Sequence, residues 1–289
     1  MGYRGINGGL AARRAVDALT ASPRRSSRKR ARAGELELKL AALQRDYIEL
    51  HAALVEAAQV HRRLCAPRLV QYGDFEIASE TFAVRHVPGD FFTIKQTSRG
   101  VSLALTDICG KGLAAGMWTT YLAGLIATHT NANPKPESIA GGVNRDLCGM
   151  SLVSPLASLF VAKLDPNTGS LDYCSAGHPP ALLLRANGEL EKLSEGGPLL
   201  GVVSEAAFVR GSVELRRGDV LLACSDGITE SCNQADQEFG YDSLEAHLRR
   251  AQNGSADAVL FSVLGAVQDF AAASPLVDDM SLVIIKHCT

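Results

Sequence analysis

The chain has 289 residues, 46% hydrophobic and 21% charged, with a formal net charge of −2. This is the balance of an ordinary globular protein with ample core material, and it argues against a general nucleic-acid binder. Seven cysteines, an odd number with no Cys-x-x-Cys pair, exclude a disulfide framework and a thiolate zinc site. No apolar run is long enough to span a bilayer, and the basic N-terminus lacks the apolar stretch of a signal peptide. A cytoplasmic protein without membrane insertion is the expectation.

Residues 1–33 are rich in Arg, Ala, Gly and Ser, with a dense positive run at Arg24, Arg25, Arg28, Lys29, Arg30 and Arg32. Such a composition buries little surface, so a disordered basic tail is expected. Residues 34–67 change character. Leu36, Leu40, Leu43, Tyr47, Leu50 and Leu54 are spaced 4, 3, 4, 3, 4, and the seam continues through Ala57, His61 and Leu64. This a/d spacing predicts a linker helix ending before Pro67 and pairing with a second copy as a coiled coil over 36–64.

From residue 68 to 289 the pattern is one domain. Strands are expected at 75–82, 91–95 and 101–106, then helices at 113–130 and 136–149. Further strands are expected at 158–164, 171–175, 181–185, 208–215 and 220–224. Asp165-Pro166-Asn167-Thr168-Gly169 supplies a hairpin turn. A helix at 255–273 and a closing strand at 280–286 complete the series. Strands come in blocks with helices between them, which predicts an α+β class with mainly antiparallel sheets.

Four acidic segments lie where strands are expected to stop: Gly89-Asp90-Phe91, Thr106-Asp107-Ile108, Ser225-Asp226-Gly227 and Asp278-Asp279-Met280. One such Asp is most simply a turn residue or helix cap. Four that converge make an oxygen-donor site for Mg2+ or Mn2+. Glu230 stands close behind Asp226, whereas Asp146, Asp165, Asp172 and Asp219 read as surface or turn residues. Cys109-Gly110-Lys111-Gly112 lacks the spacing of a nucleotide-triphosphate loop. Ala176-Gly177-His178-Pro179-Pro180 reads as a rigid turn in which His178 holds backbone groups. Serine-hydrolase and zinc-peptidase signatures are absent from the sequence.

The ordered motifs resemble the metal-dependent (PPM-type) protein phosphatase superfamily, in its bacterial SpoIIE/RsbU-like branch. The carriers are Val87-Pro88-Gly89-Asp90-Phe91-Phe92, Thr106-Asp107-Ile108-Cys109-Gly110-Lys111-Gly112, Ala176-Gly177-His178-Pro179-Pro180, Gly196-Gly197-Pro198-Leu199-Leu200-Gly201, Ser225-Asp226-Gly227-Ile228-Thr229-Glu230 and Asp278-Asp279-Met280-Ser281. The resemblance implies two antiparallel sheets packed as a β-sandwich, with helices on both faces and two Mn2+ or Mg2+ ions at one end. It implies that Asp107 bridges the ions and holds the hydroxide that attacks phosphorus. Asp90 and the Ile108 carbonyl would complete one ion, and Asp226 and Asp278 the other, with Asp279 the less favoured neighbour. The implied substrate is a phosphoserine or phosphothreonine protein, in this branch an anti-sigma-factor antagonist. The residue two past Asp107 is Cys109, where many relatives place a His, so the resemblance assigns no general acid. A non-catalytic phosphoprotein-binding regulator and a small-molecule metal phosphohydrolase are the alternatives.

Overall fold

Short apolar stretches with period-two alternation, separated by Gly- and Asp-rich turns, fold into two sheets whose inner faces bury each other. The computed structural model describes residues 23–65, 67–97, 100–150, 155–272 and 274–288. A long helix, α1 (Pro23–Leu64), comes first and takes in the whole Arg-rich run, so residues 23–33 are helix and not the disordered tail expected there. The part of the expected disordered tail before residue 23 lies outside the described residues. The chain divides into two units, Met1–Ala53 and Leu54–Thr289, so the boundary falls inside α1. In the first unit Leu36, Leu40, Leu43, Tyr47 and Leu50 are 56–67% exposed.

In the second unit one sheet carries β1 (Leu69–Tyr72), β2 (Phe75–Phe82), β12 (Met280–His287), β11 (Val220–Cys224), β7 (Ala181–Leu184) and β8 (Leu190–Leu193), in that spatial order. The other carries β10 (Gly211–Glu214), β6 (Ser170–Ala176), β5 (Ala157–Leu164), β4 (Gly100–Ile108) and β3 (Phe91–Thr97). A two-residue strand, β9 (Gly196–Gly197), runs parallel to β6; the other pairings are antiparallel. The core between the sheets is built from alternate residues, such as Val101, Leu103 and Leu105 of β4 against Leu221, Ala223, Val283 and Ile285. The opposite faces are covered by helices. α2 (Leu113–Ala132) and α3 (Pro136–Cys148) bury Leu122, Ile126, Ile139 and Val143 on the β4–β5–β6 sheet. α5 (Gly240–Ala251) and α6 (Ala256–Ala271) bury Leu244, Leu248, Val259 and Val263 on the other. A single turn, α4 (Asp226–Thr229), follows β11.

This is the α+β sandwich flanked by helices that the resemblance implies. The strand expected at 208–215 shortens to Gly211–Glu214, and α5, β1 and β8 were not anticipated. Asp219 is not a surface residue. It is 2% exposed and accepts hydrogen bonds from Arg185 Nη1 at 2.8 Å, Ala186 N at 2.9 Å and Arg216 N at 3.0 Å. A carboxylate before a strand can satisfy several main-chain amides at once, and with a guanidinium beside it burial is tolerated. All seven cysteines are free. Among the described residues no helix is long and apolar enough to cross a membrane.

Candidate functional site

Register brings the acidic segments together. β3 pairs antiparallel to β4 with Phe91 opposite Thr106, so Asp90, one residue before β3, comes beside Asp107. β11 pairs with β12 with Cys224 opposite Leu282, and Ser225 N continues the ladder to Ser281 O at 3.0 Å. That places Asp226 and the Asp278-Asp279 pair at the same end. Two of the four segments therefore precede their strands rather than ending them: Asp90 leads into β3, and Asp278-Asp279 into β12. Asp107 itself lies within β4, which continues through Ile108. Its parity matches Val101, Leu103 and Leu105, so it sits on the side facing the inter-sheet core.

Close backbone approach shapes this end. A Cβ at Gly227 would collide with the Asp279 carbonyl, so only glycine lets the turn after Asp226 settle on the start of β12. At Gly89 a Cβ would lie 3.2 Å from both the Ile108 and Gly110 carbonyl oxygens. The main chains that carry Asp90 and Asp107 are thus in near contact.

The four regions play different parts. Asp90 is 2% exposed, and its Oδ2 has no hydrogen-bond partner. Burial raises its pKa well above the usual carboxylate value, and the Asp107 charge raises it further. Hydrogen bonds with Ser225 and Ser281 oppose the shift. Asp107 is pushed up to about 6, first by burial, then by Asp226; a side-chain hydrogen bond with Asp90 works the other way. Both Asp90 and Asp107 therefore hold a proton more readily than a solvated carboxylate does. Asp226 is also raised, by burial and then by Asp278.

Asp278 and Asp279 separate cleanly. Asp279 is buried, and both of its oxygens are taken: Oδ1 accepts from Val84 N at 2.8 Å and Oδ2 from Gly89 N at 2.7 Å. It clamps the loop that delivers Asp90. Asp278 stands at the mouth, its Oδ1 accepting from Asp279 N at 2.9 Å and its Oδ2 lying 2.6 Å from Lys111 Nζ. The same ammonium donates to the Val277 carbonyl at 2.5 Å.

Sequence reasoning missed Lys111, Ser225 and Ser281. Lys111 was read as part of a rejected nucleotide loop and as a member of the Thr106–Gly112 motif, with no role of its own. The two serines interrupt the apolar character of β11's end and β12's start, which was a usable signal. His178 is buried, with Nδ1 3.1 Å from the Pro179 carbonyl oxygen, and burial lowers its pKa to about 4. It stays neutral within its turn. Cys109 is exposed, and slight burial together with Asp107 and Asp226 raises its thiol pKa.

Among the described residues no three His, Cys, Asp or Glu side chains already surround one metal-sized point. Asp278 lies against Lys111, and Asp90 makes hydrogen bonds with Ser225 and Ser281. The donor set nevertheless fits hard divalent cations. The donors are oxygens, one buried oxygen is unpaired, and three carboxylates are raised, first by burial and then by neighbouring negative charge that a cation would offset.

The raised carboxylates set a pH dependence for the chelated protein. A carboxylate whose folded pKa exceeds its unfolded value stabilises the fold fully below about pH 4 and loses that contribution as pH rises through the folded value. For Asp107, near 6 when folded, the loss is on the order of 2–3 kcal/mol. In EDTA the melting temperature of the wild type should therefore rise relative to Asp107→Asn as pH falls from 8 to 5. Parallel pH profiles for the two proteins in thermal melts would refute this.

Comparisons with known proteins agree with this geometry. Residues 97–287 match the family described as Stage II sporulation protein E (SpoIIE). The phosphoserine phosphatase RsbU of Bacillus subtilis (strain 168) is 21% identical over 243 residues, covering 83% of this chain and 71% of RsbU. The SiaA-PP2C domain of Pseudomonas aeruginosa superposes with a TM-score of 0.71 at 16% identity, covering 82% of this chain and 97% of that domain. The catalytic domain of the serine/threonine protein phosphatase PstP, solved with two manganese ions, gives 0.55 at 16% identity, covering 74% and 99%. With the family match extending over about two thirds of its length, the chain belongs to the SpoIIE family of PPM-type phosphatases.

Proposed function

We propose that this chain is a metal-dependent protein serine/threonine phosphatase acting on a regulatory phosphoprotein. The observation that carries the reading is the meeting of Asp90, Asp107, Asp226 and Asp278 from both sheets, with crowding that favours bound cations. Asp90, Asp107, the Ile108 carbonyl, Asp226 and Asp278 are the groups proposed to hold two Mn2+ or Mg2+ ions, and the manganese in the PstP structure supports that choice. Such ions supply Lewis-acid polarisation of a phosphate ester and acidify a water molecule.

The protein's own residues prepare the site. Asp107 lies between Asp90 and Asp226 and is the central donor. Asp279 holds the loop of Asp90 through the Val84 and Gly89 amides and is proposed as a positioning residue rather than a ligand. Ser225 and Ser281 orient Asp90 from the opposite sheet. Lys111 forms an ion pair with Asp278 and would compete with a cation for that carboxylate. The likeness to RsbU, named a phosphoserine phosphatase, supports a phosphoserine protein as substrate. The resemblance of the motifs to the SpoIIE/RsbU-like branch narrows it to an anti-sigma-factor antagonist.

The seam of α1 supports a homodimer. With Leu36 and Leu43 at d and Leu40 and Tyr47 at a, Arg32 falls at g and Glu37 at the following e, opposite charges that pair across a parallel coiled coil. In that register the five exposed apolar side chains cover each other.

Two experiments test these readings. Mn2+-dependent release of phosphate from a phosphoserine protein should occur with the wild type and fall at least about a hundredfold in Asp107→Asn; equal turnover in the two proteins would remove Asp107 from the site. Sedimentation velocity at micromolar concentration should give a dimer for the wild type and a monomer for Leu43→Arg. A monomeric wild type would sink the coiled coil.

A further inference from the structure

A second polar site lies in the Leu54–Thr289 unit, on the far side of the Asp90 loop. The last turns of α1, strand β2 and the segment 83–88 enclose a groove of about 800 Å³. That size falls within the range of sites for small organic ligands. Its inner surface includes Phe82, Pro88 and Phe92, which are apolar, beside His61 and Ser79. His61 is 4% exposed and Ser79 fully buried, yet His61 Nε2 and Ser79 Oγ have no hydrogen-bond partner among the described residues. Leaving two buried polar atoms unpaired costs about 1–3 kcal/mol each, so the floor is built to meet a polar group.

The rim is cationic. Arg62, Arg68 and Arg85 line it against a single acidic side chain, Glu80. Arg68 is partly committed, 3.7 Å from Asp257 and stacked over Phe261. Arg62 and Arg85 make no ion pair among the described residues. Free guanidinium groups are suited to a phosphate, which they bind through paired N–H donors.

These features together narrow the ligand. The cations call for an anion, the floor atoms for hydroxyl or amino groups, and Phe82, Pro88 and Phe92 for a flat apolar surface. Inorganic phosphate meets only the first demand. A phosphoserine on a folded protein would reach the rim and leave the buried pair unmet. We propose that this groove binds a nucleotide-sized organic phosphate, at a site separate from the carboxylate cluster.

The position of the groove gives such binding a route to the carboxylates. His61 makes a main-chain hydrogen bond at Asp90. The wall formed by Ala83, Arg85, His86 and Pro88 belongs to the loop whose Val84 and Gly89 amides Asp279 holds.

The test is isothermal titration of AMP into the full chain in EDTA, where the unneutralised carboxylate cluster repels anions and no turnover occurs. One AMP should bind per chain, inorganic phosphate should bind at least tenfold more weakly, and Asp107→Asn should bind AMP as the wild type does. Arg62→Gln, a change at an exposed helix position, should weaken AMP at least tenfold, and Arg85→Gln should do the same. Absence of AMP binding at millimolar concentration would overturn the proposal. So would binding that both arginine variants retain, or binding that Asp107→Asn abolishes. Because the readout needs neither metal nor catalysis, it stands or falls independently of the phosphatase reading.

Discussion

Crowded negative charge at one end of the sandwich is the constraint on which the site depends. Two antiparallel pairings, β3 with β4 and β11 with β12, leave no other place for Asp90, Asp107, Asp226 and Asp278. Carboxylates so close, and partly out of water, cannot all be ionised without a cation among them. Burial and neighbouring charge raise Asp90, Asp107 and Asp226, and the Lys111 ammonium lies against Asp278. Folding therefore assembles these carboxylates at a cost in stability that bound cations would offset.

Rigid support surrounds the crowded groups. Asp279 uses both carboxylate oxygens on main-chain amides, Ser225 and Ser281 bridge the ends of β11 and β12, and Gly227 and Gly89 permit the backbones to meet. Adjacent acidic residues have therefore divided the work. Asp279 is spent on structure, while Asp278 is half-exposed at the mouth and paired with Lys111.

Much of this was readable from residue order. The strand boundaries at Val220–Cys224 coincide with an apolar run, because that strand is buried at every position and admits no polar residue. The Asp segments were legible as a set, since each sits beside such a run. What escaped is what depends on tertiary partners. The helix α5 has only Leu244 and Leu248 fully buried, too few to stand out from its charged neighbours. The edge strand β8 is only four residues long, and half of them are charged. Asp219 looked like a turn residue because its guanidinium partner, Arg185, lies 34 positions away. The role of Lys111 was hidden for the same reason, as Asp278 is 167 residues distant in the chain.

Diffraction from crystals of the full chain soaked in manganese, recorded at the manganese absorption edge, is the most direct test of cation-driven assembly. The account predicts two anomalous peaks bounded by Asp90, Asp107, Asp226 and Asp278, with the Lys111 ammonium withdrawn from Asp278. An unchanged Lys111–Asp278 ion pair and no peak among the carboxylates would contradict it.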